Sequence, residues 1–501
     1  MNTTKTNGSA PLSRQVGALG MLFTAVAGMV GSGWLFASLY AAQIAGPAAI
    51  ISWLIGGFVA MTLALVYSEL GGMLPVAGAL ARIPHFSHGS TNSFMAGWLC
   101  WIAYVTTAPI EVTAVLDYAS NYVPWLTISE HGERVLSLHG VSVAAVLMLI
   151  FTGINLLGVK WLAHTNTTIT FWKLIVPFAA PVILLVVGFR YENFYNAGGF
   201  APNGVAGVFG AVSSGGVMFC LFGFRTAIDM AGEAKNPQRT VPMAMIGAVT
   251  LSLVLYILLQ IAFIGVIPPD HLKNGWHGIS EQVPGGPFAA FATILGLHTL
   301  ALALYCDAII SPAGTGLAYT GATARINYAM SKNGQVPRFF ERLNRFGVPV
   351  WSLVFNFFVG MIIFLPFSGW SALVGFISSA VILSLAFGPV TLVAMRYQVP
   401  DLKRPFRLPF GVALSAVSFI FVGFIIYWTG WQTNWKVFLT VIGGLLFFAG
   451  NCIYRKIDTK SLSLREASWW WPYVIGMALI SYFGNYGGGL GLLAHGIDLI
   501  V

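Results

Sequence analysis

Charged residues are scarce in this chain: Asp, Glu, Lys and Arg make up 8% of its 501 residues, against 57% hydrophobic ones. A water-soluble globular chain carries roughly 25% charged residues, so a polytopic helical membrane protein is expected instead. Cysteine is also rare. Cys100, Cys220, Cys306 and Cys452 lie within or at the ends of apolar segments, without paired or metal-ligand spacing. They read as small packing residues, not as disulfides or metal ligands. No Walker A loop, HExxH or GxSxG is present, so enzyme chemistry, a bound metal and ATP-driven transport from this chain alone are not expected. No cleaved leader is expected either, because the polar N-terminus is short and the apolar run behind it too long.

The sequence does contain thirteen apolar runs between residues 16 and 483, the first from about 16 to 45 and the last beginning at Trp469. A further apolar stretch, Ile497–Val501, ends the chain, compatible with a lost last span or a tail lying at the interface. The pI near 9.4 and net charge of +9 would suit nucleic acid, but the positions of the basic residues favour topology. With a cytoplasmic N-terminus, 19 of the 25 Lys and Arg residues fall in inside loops. Arg134, Arg190, Lys273 and Lys436 fall outside, and Lys173 and Arg225 lie within spans. This is the positive-inside pattern of an inner-membrane protein.

The first run is interrupted by Gly28-Met-Val-Gly-Ser-Gly-Trp34, where a plain spanning helix would carry Leu or Ile. Glycine lets the backbone leave helical geometry and lets a ligand approach closely. Unwound backbone is tolerated in a membrane only where it is buried in protein or lines a cavity. The sixth run, Gly215-Gly-Val-Met-Phe-Cys-Leu-Phe-Gly-Phe-Arg225, carries a matching interruption, placed at Gly223. Paired breaks in corresponding halves point to an inverted-repeat transporter with its site between them; a small-residue packing seam is the alternative. Ionisable groups at this depth cost at least about 2.5–3.5 kcal/mol each. Glu69, Asp117, Asp229 and Glu233 sit near span ends, where helix-end pairing explains them. Lys173, Arg225, Glu111 and Asp307 lie deeper and are candidates for function.

Several segments together resemble the amino acid–polyamine–organocation permeases. The Gly28–Phe36 run resembles their first-helix GSG motif, Gly232–Pro242 (GEAKNPQRTVP) the loop after the sixth helix, and Arg325–Pro337 the segment after the eighth. Tyr67-Ser-Glu-Leu-Gly71 with Pro75 resembles the end of the second. Ser87-His-Gly89, Ile110–Val115 and Asp307–Pro312 are most similar to the bacterial aspartate:proton symporter subgroup. The family's PxxGGxY pattern reads Pro75-Val-Ala-Gly-Ala-Leu-Ala81 here, a local departure.

The resemblance implies an all-α, LeuT-like five-plus-five inverted repeat with broken helices 1 and 6, about 12–14 spans in all. A tail at 1–15 would precede repeats at 16–190 and 205–396, with accessory helices at 411–501. It also implies alternating access with a proton as coupling ion and no other cofactor. An amino acid is a zwitterion. Its carboxylate would take N–H donors at Gly31, Ser32 and Gly33, and its ammonium the freed carbonyls near Phe219, Cys220 and Phe222, with either Phe closing over it. Lys173 matches a lysine that stands in for sodium in proton-coupled members, bonding first-helix carbonyls and Ser311 or Thr315. Glu111 and Asp307 are the next proton carriers.

Arg225 occupies a place where arginine exchangers carry an acid, so an acidic amino acid is the expected substrate. With the site empty, Glu111 would pair with Arg225; a permanent Arg225–Asp229 pair on one helix face is the alternative. The rival functions are a proton-independent amino acid or amine exchanger and a channel or transceptor that binds without transport. The expected partners are the substrate and the bilayer, with oligomeric state open.

Overall fold

The computed structural model describes residues 16–76, 78–130, 133–157, 159–279, 286–364 and 369–493. The N-terminal tail and Ile497–Val501 fall outside them. Apart from one hairpin, β1 (Thr127–Glu130) with β2 (Glu133–Leu136), the described residues build helices and their connections. Among the described residues, nine helical stretches are long and apolar enough to cross a membrane, or ten with the bent stretch at 204–229, and 18–29 and 350–363 are shorter apolar helices. One of the nine, Gly33–Met73, has 41 residues, about 60 Å of helix at 1.5 Å per residue. That is twice the hydrocarbon thickness of a bilayer, so it folds as two legs. The turn sits at Gly46 (φ +63°).

The first span is α1 (Ala18–Met29) followed by α2 (Gly33–Ala45), with Val30 leaving helical geometry at φ −98°, ψ 77°. Next come α3 (Ala49–Met73), α4 (Ala79–Ala119), α5 (Leu138–Leu156) and α6 (Val159–Gly188). The sixth span is α7 (Gly204–Ser213), α8 (Val217–Leu221) and α9 (Arg225–Asp229), with a 3₁₀ turn at Phe222–Phe224. The chain continues through α10 (Pro237–Val266), α11 (Pro287–Ile294), α12 (His298–Lys332) and α13 (Val350–Ile363). It ends with α14 (Trp370–Leu385), α15 (Phe387–Gln398), α16 (Gly411–Thr429), α17 (Trp431–Arg455) and α18 (Trp470–Phe483).

The second break is not at Gly223. The helix bends by 44° between α7 and the 217–229 stretch, at Gly216, whose φ of +89° is left-handed and suits only glycine well. A Cβ at Gly216 would also press on Ala37 at 3.1 Å and Trp370 at 3.2 Å. Gly223 serves close approach instead: a Cβ there would lie 2.6 Å from backbone atoms of Gly28 and Met29. The two broken spans therefore touch backbone to backbone. Their ends are tied again where Val16 N donates to Glu233 O (3.1 Å) and Lys235 N to Val16 O (2.9 Å).

The most extensive helix contacts are α4 with α12 and α3 with α10, followed by α14 with α4 and α1 with α10. The first two pair the third span with the eighth and the second with the seventh. The apolar part of α4 is buried along its whole length, and α14–α15 nearly so, whereas α5, α6 and α17 turn apolar faces outward. In lipid an apolar outer face needs no protein partner. Cys100, Cys220 and Cys452 are buried and unpaired, but Cys306 is exposed on α12, so for that residue the packing expectation fails.

Two of the acids expected to pair at span ends do so. Glu69 is fully buried. It receives Arg396 through Nε (3.1 Å) and Nη2 (2.5 Å) and the Leu408 amide (2.7 Å), with Arg404 Nε 3.6 Å away. Asp117, itself buried, lies 3.6 Å from the part-buried Arg134, whose Nη1 also donates to Ser120 Oγ (2.9 Å) and Asn121 Oδ1 (3.2 Å). Losing hydrogen bonds to a charged group in a part-buried pair costs more than losing a surface pair, so Arg134→Ala should cost about 1–3 kcal/mol, read as a drop in the unfolding midpoint in detergent.

Candidate functional site

Breaking α1 from α2 strips backbone groups of helical partners inside an apolar bundle, where each must find another. Side chains from α4, α10 and α6 supply them, and α12 and α14 brace the arrangement. Ser32 N donates to Glu111 Oε2 on α4 at 2.7 Å. The Met29 carbonyl accepts from Tyr256 Oη on α10 at 2.6 Å. The Ala27 carbonyl accepts from Lys173 Nζ on α6 at 3.0 Å, and the same ammonium donates to Thr315 Oγ1 on α12 at 2.5 Å. Trp370 Nε1 on α14 donates to Ser32 Oγ at 2.9 Å. Glu111, Lys173, Ser32, Tyr256 and Trp370 are all buried.

The glycines on either side of Ser32 make this collar possible. A Cβ at Gly31 would lie 2.5 Å from Glu111 Oε1, so a side chain there would push the carboxylate off the Ser32 amide. A Cβ at Gly33 would run into Cys220 Sγ and touch the Phe219 ring at 3.5 Å. The Phe219 ring stands edge-on to Trp370 (5.9 Å, 89°), and Trp370 in turn packs on Phe36 and Tyr40 at 5.3 Å each. Gly31, Ser32, Gly33, Phe219 and Cys220 thus come together. Phe222 lies in the 3₁₀ turn, and its carbonyl accepts from Arg225 N. It is therefore not a freed acceptor, since the helix has already resumed by that point.

Ser311 turns away from Lys173 and donates to Asp307 Oδ1 at 2.8 Å. Of the two hydroxyls weighed for Lys173, only Thr315 meets it. Asp307 is fully buried, and its Oδ2 has no partner among the described residues.

Arg225 does not pair with Glu111, whose carboxylate is held at Ser32. Nor does either carboxylate oxygen of Asp229 come within 4.0 Å of its guanidinium nitrogens among the described residues. Instead the guanidinium lies over the Tyr104 ring, Cζ 4.3 Å from the centroid, with the Tyr319 ring at 5.8 Å. Arg225 is 3% exposed, yet its Nε and Nη1 have no hydrogen-bond partner among the described residues. Asp229 accepts from the Tyr104 hydroxyl through Oδ2 and from Leu80 N at 3.5 Å through Oδ1.

Sequence reasoning missed Tyr104, Tyr256, Tyr319 and Trp370. In a chain that is 14% aromatic, no local pattern marks these four. The one available signal is the helical spacing of Tyr104 from Glu111, seven residues, which puts both on one face of α4.

The chain matches a family model described as amino acid permease over residues 15–448. It is 38% identical over 496 residues to the glutamate/serine transporter AimA of Bacillus subtilis (strain 168), covering 98% of this chain and 91% of that protein. It is 36% identical over 484 residues to the aspartate-proton symporter of the same organism, covering 96% and 92%. At 25% over 422 residues, 82% of this chain and 87% of the other, it is also similar to that organism's methylthioribose transporter.

Proposed function

We propose that this chain, which belongs to the amino acid permease family, imports acidic amino acids together with protons by alternating access. It is a multi-pass membrane transporter of amino acids, not an enzyme. The bias of Lys and Arg toward the N-terminal side favours a cytoplasmic N-terminus in the bacterial inner membrane.

The observation that carries the acidic assignment is Arg225: a buried guanidinium whose Nε and Nη1 are unpartnered among the described residues. Such a group makes charge-assisted hydrogen bonds to a carboxylate. Two relatives, a glutamate/serine transporter and an aspartate-proton symporter, support the same reading. The substrate's α-carboxylate would compete with Glu111 for the Ser32 amide, and its side-chain carboxylate would take Arg225. A displaced Glu111, buried and without its donor, would be better accommodated protonated. That links substrate entry to a proton, with Lys173 and Asp307 as the other ionisable groups able to carry one.

The test is uptake of labelled aspartate into proteoliposomes holding the purified chain. Accumulation should require an inward proton gradient, and unlabelled aspartate and glutamate should compete while arginine and leucine do not. Serine, carried by one relative, serves as the neutral arm and should compete weakly. Uptake indifferent to the gradient would favour an exchanger. Strong inhibition by arginine or leucine, with none by aspartate, would overturn the acidic assignment.

A further inference from the structure

Arg225 and Asp229 stand four residues apart in α9, the spacing at which oppositely charged side chains on one helix face meet. Arg225 is buried and Asp229 half-buried, so an unpartnered charge is costly and a direct pair would relieve it. Yet no such pair forms. The structure places Tyr104 of α4 between them. Its ring lies under the guanidinium, 4.3 Å from Cζ to centroid, while its hydroxyl donates to Asp229 Oδ2. The remaining Asp229 acceptors are engaged at the start of α4: Oδ1 accepts from Leu80 N at 3.5 Å and the backbone carbonyl from Gly78 N at 3.1 Å. Tyr319 stands edge-on to Tyr104 (5.0 Å, 88°) and also flanks the guanidinium, its ring centroid 5.8 Å from Arg225 Cζ.

We infer that Tyr104 is a positioning residue for substrate selection: its hydroxyl occupies Asp229, so that Arg225 stays available to the side-chain carboxylate of an acidic amino acid. This rests on the proposed acidic site. The two ends of the tyrosine do different work. The ring holds the guanidinium by its face, and Nε and Nη1 stay without a partner among the described residues. The hydroxyl keeps the internal carboxylate from competing. Without the hydroxyl, Asp229 would be an acid tethered one helical turn from Arg225, present at far higher effective concentration than any dissolved substrate.

The experiment is a four-protein cycle: the parent chain, Tyr104→Phe, Asp229→Asn, and both together, each purified and assayed for binding of labelled aspartate. Tyr104→Phe keeps the ring and removes one oxygen. It should weaken aspartate binding by about tenfold or more, because Asp229 then closes on Arg225. Adding Asp229→Asn should restore binding to near the parent value, since an amide cannot neutralise the guanidinium. A purely structural role for Tyr104 would not be rescued this way. Loss of binding that persists in the double variant overturns the inference, as does a Tyr104→Phe protein that binds like the parent. Should the single variant fail to fold, the cycle is read from its other side: Tyr104→Phe introduced into the Asp229→Asn protein should leave aspartate binding unmoved, and a further loss there overturns it. Arg225→Gln separates the two levels. If Arg225→Gln still binds aspartate at parent affinity, the acidic-site reading fails and this inference with it. If Arg225→Gln loses aspartate while Tyr104→Phe does not, this inference alone fails.

Discussion

Arg225→Ala is expected to cost about 2–5 kcal/mol of aspartate binding, roughly a 30- to 4,000-fold rise in Kd, measured by titration of the purified protein. The size follows from burial. A guanidinium 3% exposed meets a carboxylate in a medium where Coulomb attraction is weakly screened, and its N–H donors add charge-assisted hydrogen bonds. Arg225→Lys should fall between, because a lysine keeps the charge and loses the fixed planar donors. Stability should move differently from binding. A buried cation without a carboxylate partner is a burden on the substrate-free fold, offset only in part by the Tyr104 ring. Arg225→Met should therefore hold or raise the unfolding midpoint while abolishing aspartate binding, the trade between stability and a functional site. Unchanged affinity in a folded Arg225→Ala protein would remove Arg225 from the site and leave the transporter assignment standing.

The first break was legible because three glycines and a serine fall where a spanning helix has no local reason to carry them, and the chain leaves the helix between Met29 and Gly33. The second was misplaced by seven residues because glycine answers two different needs. Gly216 takes a left-handed φ that bends the helix. Gly223 stays in a helical turn and loses its side chain only to admit the Gly28–Met29 backbone. A sequence shows the glycine and not the reason for it. The buried charges divide in the same way. Their depth was readable from the apolar runs around them, so Lys173, Glu111 and Asp307 stood out. Partners belong to tertiary structure: Glu111 meets Ser32 across 79 residues and Arg396 meets Glu69 across 327. The aromatic groups that hold the broken span, Tyr256 and Trp370, were hidden for a related reason. A Tyr or Trp in an apolar run reads as packing until the carbonyl or hydroxyl it bonds comes into view.

Lys173→Ala is expected to abolish proton-driven accumulation, lowering the uptake ratio in proteoliposomes to the value seen without a gradient. Lys173 is 2% exposed and bridges two helices, Ala27 O on α1 and Thr315 Oγ1 on α12. A charged ammonium holds both; a neutral amine has one donor fewer and no charge to offer the carbonyl. The bridge thus depends on a proton, and it fastens the half-helix next to the first break. Alanine removes the dependence and leaves the helices able to meet, since Thr315 Oγ1 already lies 3.5 Å from Ala27 O. The variant should therefore fold and still exchange external for internal aspartate, because exchange needs the site to alternate but not the proton to leave. Counterflow and gradient-driven uptake measured on the same vesicles separate the two. Loss of both would mark Lys173 as structural. Gradient-driven accumulation at the parent level would move the coupling proton to Glu111, whose carboxylate shares the same break from the other side; Glu111→Gln should then be the variant that keeps counterflow and loses accumulation.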